Sequence, residues 1–254
     1  MAAPFELVLL VLAAALGGAL NSVAGGGSFF TFPALLLTGV PPLSANATST
    51  VALWPGSLAS AYGYREDFRS DRRTLVPFAV GSLLGGLAGA FVLINTPEEV
   101  FRLLVPWLLL TATLVFAFGG PLVRRLRAPG HATGAHLWGA TALMFLIAIY
   151  GGYFGGGMGF LILAALTLLG LEDIHQMNGL KALLAVAING IALVAFVVAG
   201  LVDWPIALLM VGGAVAGGYG GAWAAKRVDA RKVRGLVIAL GAALTAYFFW
   251  LTYA

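Results

Sequence analysis

Ten apolar runs separated by short connectors leave this chain few folds to choose from. They lie at about 4–23, 27–40, 46–63, 74–95 and 99–120, then at about 136–153, 157–171, 174–200, 203–225 and 233–253. A run of roughly 20 apolar residues crosses a bilayer as a helix. In hydrocarbon only helices and closed barrels satisfy their own backbone polar groups. Of the 254 residues 61% are hydrophobic and 9% charged, against roughly 25% charged in a soluble domain. Mean hydropathy is +0.98, more apolar surface than one water-soluble core can hide. The longest polar stretches, Tyr64–Arg73 and Pro121–Ala135, leave no room for a soluble domain. Met1–Pro4 carries no Lys or Arg and no small-residue cleavage site follows, so the first run reads as a retained membrane segment rather than a signal peptide. The expectation is an all-α polytopic membrane protein. Cysteine is absent, which excludes disulfides, thiol catalysis and cysteine-based metal sites. The net charge of +4 sits in loops, where it reports orientation before any nucleic-acid partner.

The two halves repeat. Gly25-Gly26-Gly27 with Phe29-Phe30 aligns with Gly155-Gly156-Gly157 and Phe160, and Gly39-Val40 with Gly170-Leu171. The run Asn46 to Thr50 aligns with Met177 to Lys181, about 131 positions later. Repeats of this size mark transporter folds. They divide the chain into a first transmembrane repeat, 1–127, and a second, 128–254, of about five helical segments each.

Loop charge orients them. Arg65, Arg69, Arg72 and Arg73 follow run three; Arg124, Arg125 and Arg127 follow run five; Lys226, Arg227, Arg231, Lys232 and Arg234 separate runs nine and ten. Such basic loops stay in the cytoplasm, whereas Asn95–Glu99 and Gly200–Trp204 carry no Lys or Arg and fit the outside. All three basic loops face inward only if run six and short run seven leave and return on one side. The same parity puts the N- and C-termini outside. An odd number of segments per half then makes the halves oppositely oriented, an inverted-topology repeat.

Each short run opens at its Gly triplet, before Ser28 and Met158. At 1.5 Å per residue such a run covers roughly 22 Å, less than the hydrocarbon thickness. Three glycines in a row break a helix, and non-helical backbone at depth is tolerated only inside protein or beside a wet cavity. The short helix beyond each break aims its free N–H groups and positive dipole end at the break, which attracts anions. The competing explanation is a close-packing surface. Of the 14 Lys and Arg, 13 lie in or beside loops; Lys181 does not. A buried cation reads as a functional residue by default, and here it suits an anion and works against a metal cation. Its alternatives are snorkelling or pairing with Glu172 or Asp173. Asn46, Thr48, Ser49 and Thr50 in the first half, with Asn178 and Asn189 in the second, can hydrogen-bond oxyanion oxygens; hydrogen bonding between helices explains each equally well. Pro33 and Pro55 can kink their helices. Proton coupling is poorly marked: Asp203, Glu172, Asp173 and His175 fall near the surfaces, His131 and His136 flank the central loop, and Glu6 is interfacial.

The residues Gly25-Gly26-Gly27-Ser28-Phe29-Phe30-Thr31-Phe32-Pro33-Ala34-Leu35-Leu36, followed by Gly39-Val40-Pro41-Pro42 and Ala45-Asn46-Ala47-Thr48-Ser49, resemble the first-repeat signature of the TauE/SafE sulfite exporter family. Gly151-Gly152-Tyr153-Phe154-Gly155-Gly156-Gly157-Met158-Gly159 and Asn178-Gly179-Leu180-Lys181-Ala182 resemble its second. The second half departs from the Ala-x-Ala-Thr-Ser pattern at Gly179 and Leu180. The resemblance implies transport of sulfite, organosulfonates or related sulfur anions across an inner membrane, driven by an ion gradient with the proton as candidate. The substrate-binding candidates are Gly25, Gly26, Gly27, Ser28, Asn46, Thr48, Ser49, Thr50, Gly155, Gly156, Gly157, Met158, Asn178, Lys181 and Asn189. No cofactor and no metal are expected. The rivals are an anion channel built on the same helix ends, a carrier of sulfate or thiosulfate, a structural scaffold, and an intramembrane serine hydrolase. The last would need a histidine at the depth of Ser28, and the three histidines all lie near loops.

Overall fold

The computed structural model describes residues 4–23, 25–67, 72–126, 134–169, 171, 173–225, 227 and 230–253. Arg69, Arg127, His131, Gly170, Glu172 and Lys226, which entered the sequence readings above, lie outside these. Ten α-helices follow in order: α1 Pro4–Val23, α2 Ser28–Leu37, α3 Pro42–Gly63, α4 Arg72–Ile94, α5 Glu98–Leu126, α6 Gly134–Tyr153, α7 Met158–Leu168, α8 Ile174–Val198, α9 Trp204–Ala225 and α10 Ala230–Tyr253. No strand occurs among the described residues. Six helices, α1, α4, α5, α8, α9 and α10, are long and apolar enough to cross a membrane. The short helices α2 and α7 have 10 and 11 residues, about 15–17 Å at helical rise. Helix α3 begins four residues before Asn46, so the polar run lies inside the helix.

Small residues set the packing. Along α1 and α9 the contacts rise together: Gly213 lies on the Val11 carbonyl, Gly217 on that of Ala15 and Gly221 on Ala19, so the two helices run parallel. Gly85 and Gly89 of α4 meet the Phe145 and Ile149 carbonyls of α6 in the same parallel sense. Without a hydrophobic drive between helices in lipid, such close backbone approach supplies the attraction. Helix α9 also packs on α3, and α4 on α8. Exchanging the first five helices for the last five therefore maps the α1–α9 pair onto α6–α4, and α3–α9 onto α8–α4.

Helices α3 and α8 cross at the centre and run antiparallel. Thr48, near the start of α3, accepts a hydrogen bond from the Asp203 N–H, beyond the end of α8, at 2.9 Å. At the other end, Tyr64 past α3 and Lys181 in the second turn of α8 both donate to the Ser22 carbonyl. Between them Trp54 donates its indole N–H to the Val186 carbonyl at 3.0 Å. Helices α5 and α10 are antiparallel too, joined by Arg234 on the Phe116 and Ala117 carbonyls and by Trp107 on the Tyr253 hydroxyl. Arg65 and Arg227 thus fall at one end of the bundle, each over an aromatic ring, Tyr62 and Trp223. Glu98 and Asp203 fall at the opposite end, where the Glu98 carboxylate accepts from the Leu43 N–H.

Candidate functional site

The helix breaks arise where the glycines stand. Gly25 and Gly26 take φ of +71° and +136°, and Gly155 and Gly157 take +77°, values that side chains rarely adopt. The backbone turns back at each point and restarts as α2 or α7. The two breaks touch: a Cβ on Gly25 would collide with the Cα and N of Gly159. Both also lean on one ring. Phe116 of α5 packs against Gly26 and Gly157, and stands edge-on to Phe29 and Phe160, with centroids 5.5 and 4.3 Å away.

On the far side of the contact lies a cavity of about 30 Å³, more than the roughly 10–15 Å³ that one ordered water requires. Gly25, Gly26 and Ser28 line it from the first break, and Gly155, Met158 and Gly159 from the second. Thr50, Ser57 and Ser60 of α3 face Lys181 and Asn189 of α8 across it. The N-terminal ends of α2 and α7 both open on this space, and their dipoles favour negative charge there.

Lys181 is the basic side chain among the residues that line this cavity. Its side chain is 1% exposed. The ammonium donates to the Ser22 carbonyl and to Asn178 Oδ1, both at 2.9 Å. No carboxylate pairs with it among the described residues; their one ion pair is Arg65–Glu66 at the surface. Asp173 is engaged instead in capping α8 through the N–H groups of His175 and Gln176. Of the three donors an ammonium carries, two are satisfied by neutral oxygens. A buried cation without a charged partner is costly.

The structure sorts the expected residues. Gly25, Gly26, Ser28, Thr50, Gly155, Met158, Lys181 and Asn189 line the cavity. Gly27 and Gly157 instead carry the turns into α2 and α7, and Gly156 packs on Phe154 and accepts the Tyr150 hydroxyl. Asn46 donates to the Tyr153 carbonyl at 2.9 Å, Thr48 holds the Asp203 N–H, and Ser49 shares a 2.6 Å hydrogen bond with Thr31. These three tie α3 to α6, α9 and α2, while Asn178 orients Lys181. The residues that sequence reasoning missed are Asn21, Ser57, Ser60, Phe154 and Gly159. Asn21 Oδ1 accepts from the N–H groups of Gly26 and Gly27, at 2.9 and 2.7 Å. The Ser60 hydroxyl is buried with no partner among the described residues. The Asn21 amide, on the turn before the first Gly triplet, and the Ser57 and Ser60 hydroxyls, on the turns of α3 that follow Thr50, were the available signal. Among the described residues no cluster of His, Asp or Glu could hold a metal ion.

Comparison with known proteins covers nearly the whole chain. It is 29% identical over 239 residues to a protein of a Sinorhizobium species named "Probable membrane transporter protein ORF9", covering 94% of this chain and 90% of that one. A Xylella fastidiosa protein named "Probable membrane transporter protein" is 32% identical over 255 residues, covering 94% and 92%. Escherichia coli K12 has one named "Probable membrane transporter protein YfcA", 27% identical over 251 residues and covering 97% and 90%. No solved structure matches the chain. The model of the family described as "Sulfite exporter TauE/SafE" matches residues 10–248, and with that span, and with relatives alike from end to end, the chain belongs to the TauE/SafE family.

Proposed function

We propose that the chain is a secondary transporter that moves a small sulfur oxyanion, sulfite or an organosulfonate, across the cell's inner membrane by alternating access, coupled to an ion gradient. The single observation that carries this reading is Lys181: a buried ammonium with no carboxylate partner among the described residues, at a cavity where two helix N-termini converge. The anion sits against Lys181, Thr50, Ser28 and Asn189, and against the backbone of Gly25, Gly26, Gly155 and Met158. Gly27, Asn46, Thr48, Ser49, Gly156, Gly157 and Asn178 hold the geometry around it. Residues 1–127 and 128–254 act as inverted repeats, and one rocks against the other. The exchange symmetry of helix pairs and the antiparallel crossing of α3 and α8 support that relation, since repeats related by an axis in the membrane plane meet head to tail. The end that holds Arg65 and Arg227 faces the cytoplasm and both termini lie outside, as the Lys/Arg bias requires.

The test is uptake into proteoliposomes of sulfite, sulfate, thiosulfate and a sulfonate, with and without a proton gradient. Sulfite or the sulfonate should accumulate above its external concentration when the gradient is present. Flux that only equilibrates would make the protein a channel, and equal flux of sulfate or thiosulfate would remove the sulfite-type cargo.

A further inference from the structure

A second and larger cavity, of about 540 Å³, lies at the bundle end opposite Arg65 and Arg227. It is within the range of roughly 300–1,000 Å³ typical of small-molecule pockets. Its walls are Leu36 of α2, Val105 of α5, and Phe248 and Leu251 of α10, with Thr252 and Arg102 at the rim. Helix α10 contributes a lipid-facing surface: Trp250 and Leu251 are exposed. The groove is therefore reached sideways from the bilayer as well as from its surface.

Two further observations bear on what fills it. Beside the groove, Trp107 donates to the Tyr253 hydroxyl, which donates to the Leu103 carbonyl at 2.9 Å. Trp and Tyr gather at the headgroup level of a membrane, and Leu103 is the neighbour of Arg102. The second is charge. Arg102 stands at the end otherwise marked by acidic residues, and no ion pair holds its guanidinium among the described residues. Glu98, one turn earlier, gives its carboxylate to the Leu43 N–H, and neither it nor Glu99 lines the groove. An apolar trough at headgroup depth, rimmed by an unpaired arginine and a hydroxyl, has the chemistry of a lipid with a phosphate head, because guanidinium binds phosphate through two parallel hydrogen bonds.

We propose that this groove is a binding site for an anionic phospholipid, its acyl chain against Leu36, Val105, Phe248 and Leu251 and its phosphate on Arg102. The site lies apart from the cavity of Lys181 and does not depend on the transported cargo. The experiment takes the full chain in neutral detergent, adds dioleoylphosphatidylglycerol or dioleoylphosphatidylcholine in mixed micelles, and counts lipids retained per chain by native mass spectrometry. The wild type should hold one phosphatidylglycerol in preference to phosphatidylcholine by roughly tenfold. Arg102→Gln should bring the two lipids to parity, and Leu251→Trp, which fills the trough and leaves Arg102 in place, should lower retention of both. Equal retention of the two lipids by the wild type would overturn the proposal, as would undiminished selectivity in Arg102→Gln. Displacement of phosphatidylglycerol by millimolar sulfite would also overturn it, because the groove would then be a vestibule for the cargo. If Arg102→Gln does not fold, Leu251→Trp decides: a folded variant that keeps its phosphatidylglycerol removes the site.

Discussion

At the first interruption the Asn21 carboxamide oxygen already holds the N–H groups of Gly26 and Gly27. At the second no described side chain takes an amide, and Tyr150 reaches across to donate to the Gly156 carbonyl. The turns differ as well: Gly27 enters α2 in the right-handed helical region, whereas Gly157 enters α7 at φ +77°. Two Gly triplets at matched places thus give one helix start that carries its own surrogate acceptor and one that does not. The cation follows the same division, since Lys181 belongs to the second half and the residue at its matched position in the first is Thr50. In the proposed function an arriving anion meets charge and uncapped backbone from the second repeat, and hydroxyls from the first.

The largest expected effect comes from that inequality. Lys181→Ala should lower sulfite uptake in proteoliposomes by roughly 10- to 100-fold, the worth of a charge-assisted hydrogen bond, while Thr50→Ala should cost only about threefold. Equal losses would mean that the halves share the anion evenly.

Next come the glycines. Gly25→Ala drives a Cβ into the Gly159 backbone at a positive φ, so it combines overpacking of about 1–3 kcal/mol with strain of about 1 kcal/mol or more. Gly155→Ala meets only the Gly151 carbonyl, at 3.2 Å, and should cost about 1–2 kcal/mol, mostly strain. Thermal unfolding in detergent should rank Gly25→Ala well below Gly155→Ala, and the reverse order would show that the second break is the tighter one.

Removing the surrogate acceptor is a smaller change. Asn21→Ala strips the Gly26 and Gly27 amides of their partner and should destabilise the protein by about 1–3 kcal/mol. Added sulfite should restore part of the melting temperature by occupying the Gly26 amide. No restoration would show that the first break cannot take an anion. Tyr150→Phe, which deletes a single hydrogen bond to a carbonyl, should cost about 0.5–1.5 kcal/mol with no rescue by sulfite.

The helices were legible in the chain because lipid imposes a single demand on every spanning segment. The apolar runs give α1, α4, α8 and α9 within about three residues of their ends, and the Gly triplets mark where α2 and α7 restart. Lys181 was legible for the same reason, as a cation where cations do not belong. The division of labour among the polar residues was not. Asn46, Thr48 and Ser49 look like ligands because they cluster, yet the partners of Asn46 and Thr48 lie 107 and 155 residues away, and no local pattern announces an acceptor so distant. Asn21 was hidden by the opposite circumstance. It sits at the end of an apolar run, where one amide resembles a helix terminus, and its role depends on the chain doubling back five residues later.

Phe116 carries a last consequence. One benzyl group is wedged beneath two stretches of backbone, and Arg234 pins the carbonyl behind it. A flat ring cannot follow both when they separate. If the proposed cycle parts them, one is left over an empty hollow and its contacts with the ring are lost in either open form. Under the proposed alternating access, that loss would favour the shut form of the unladen protein, with the aromatic wedge as its latch.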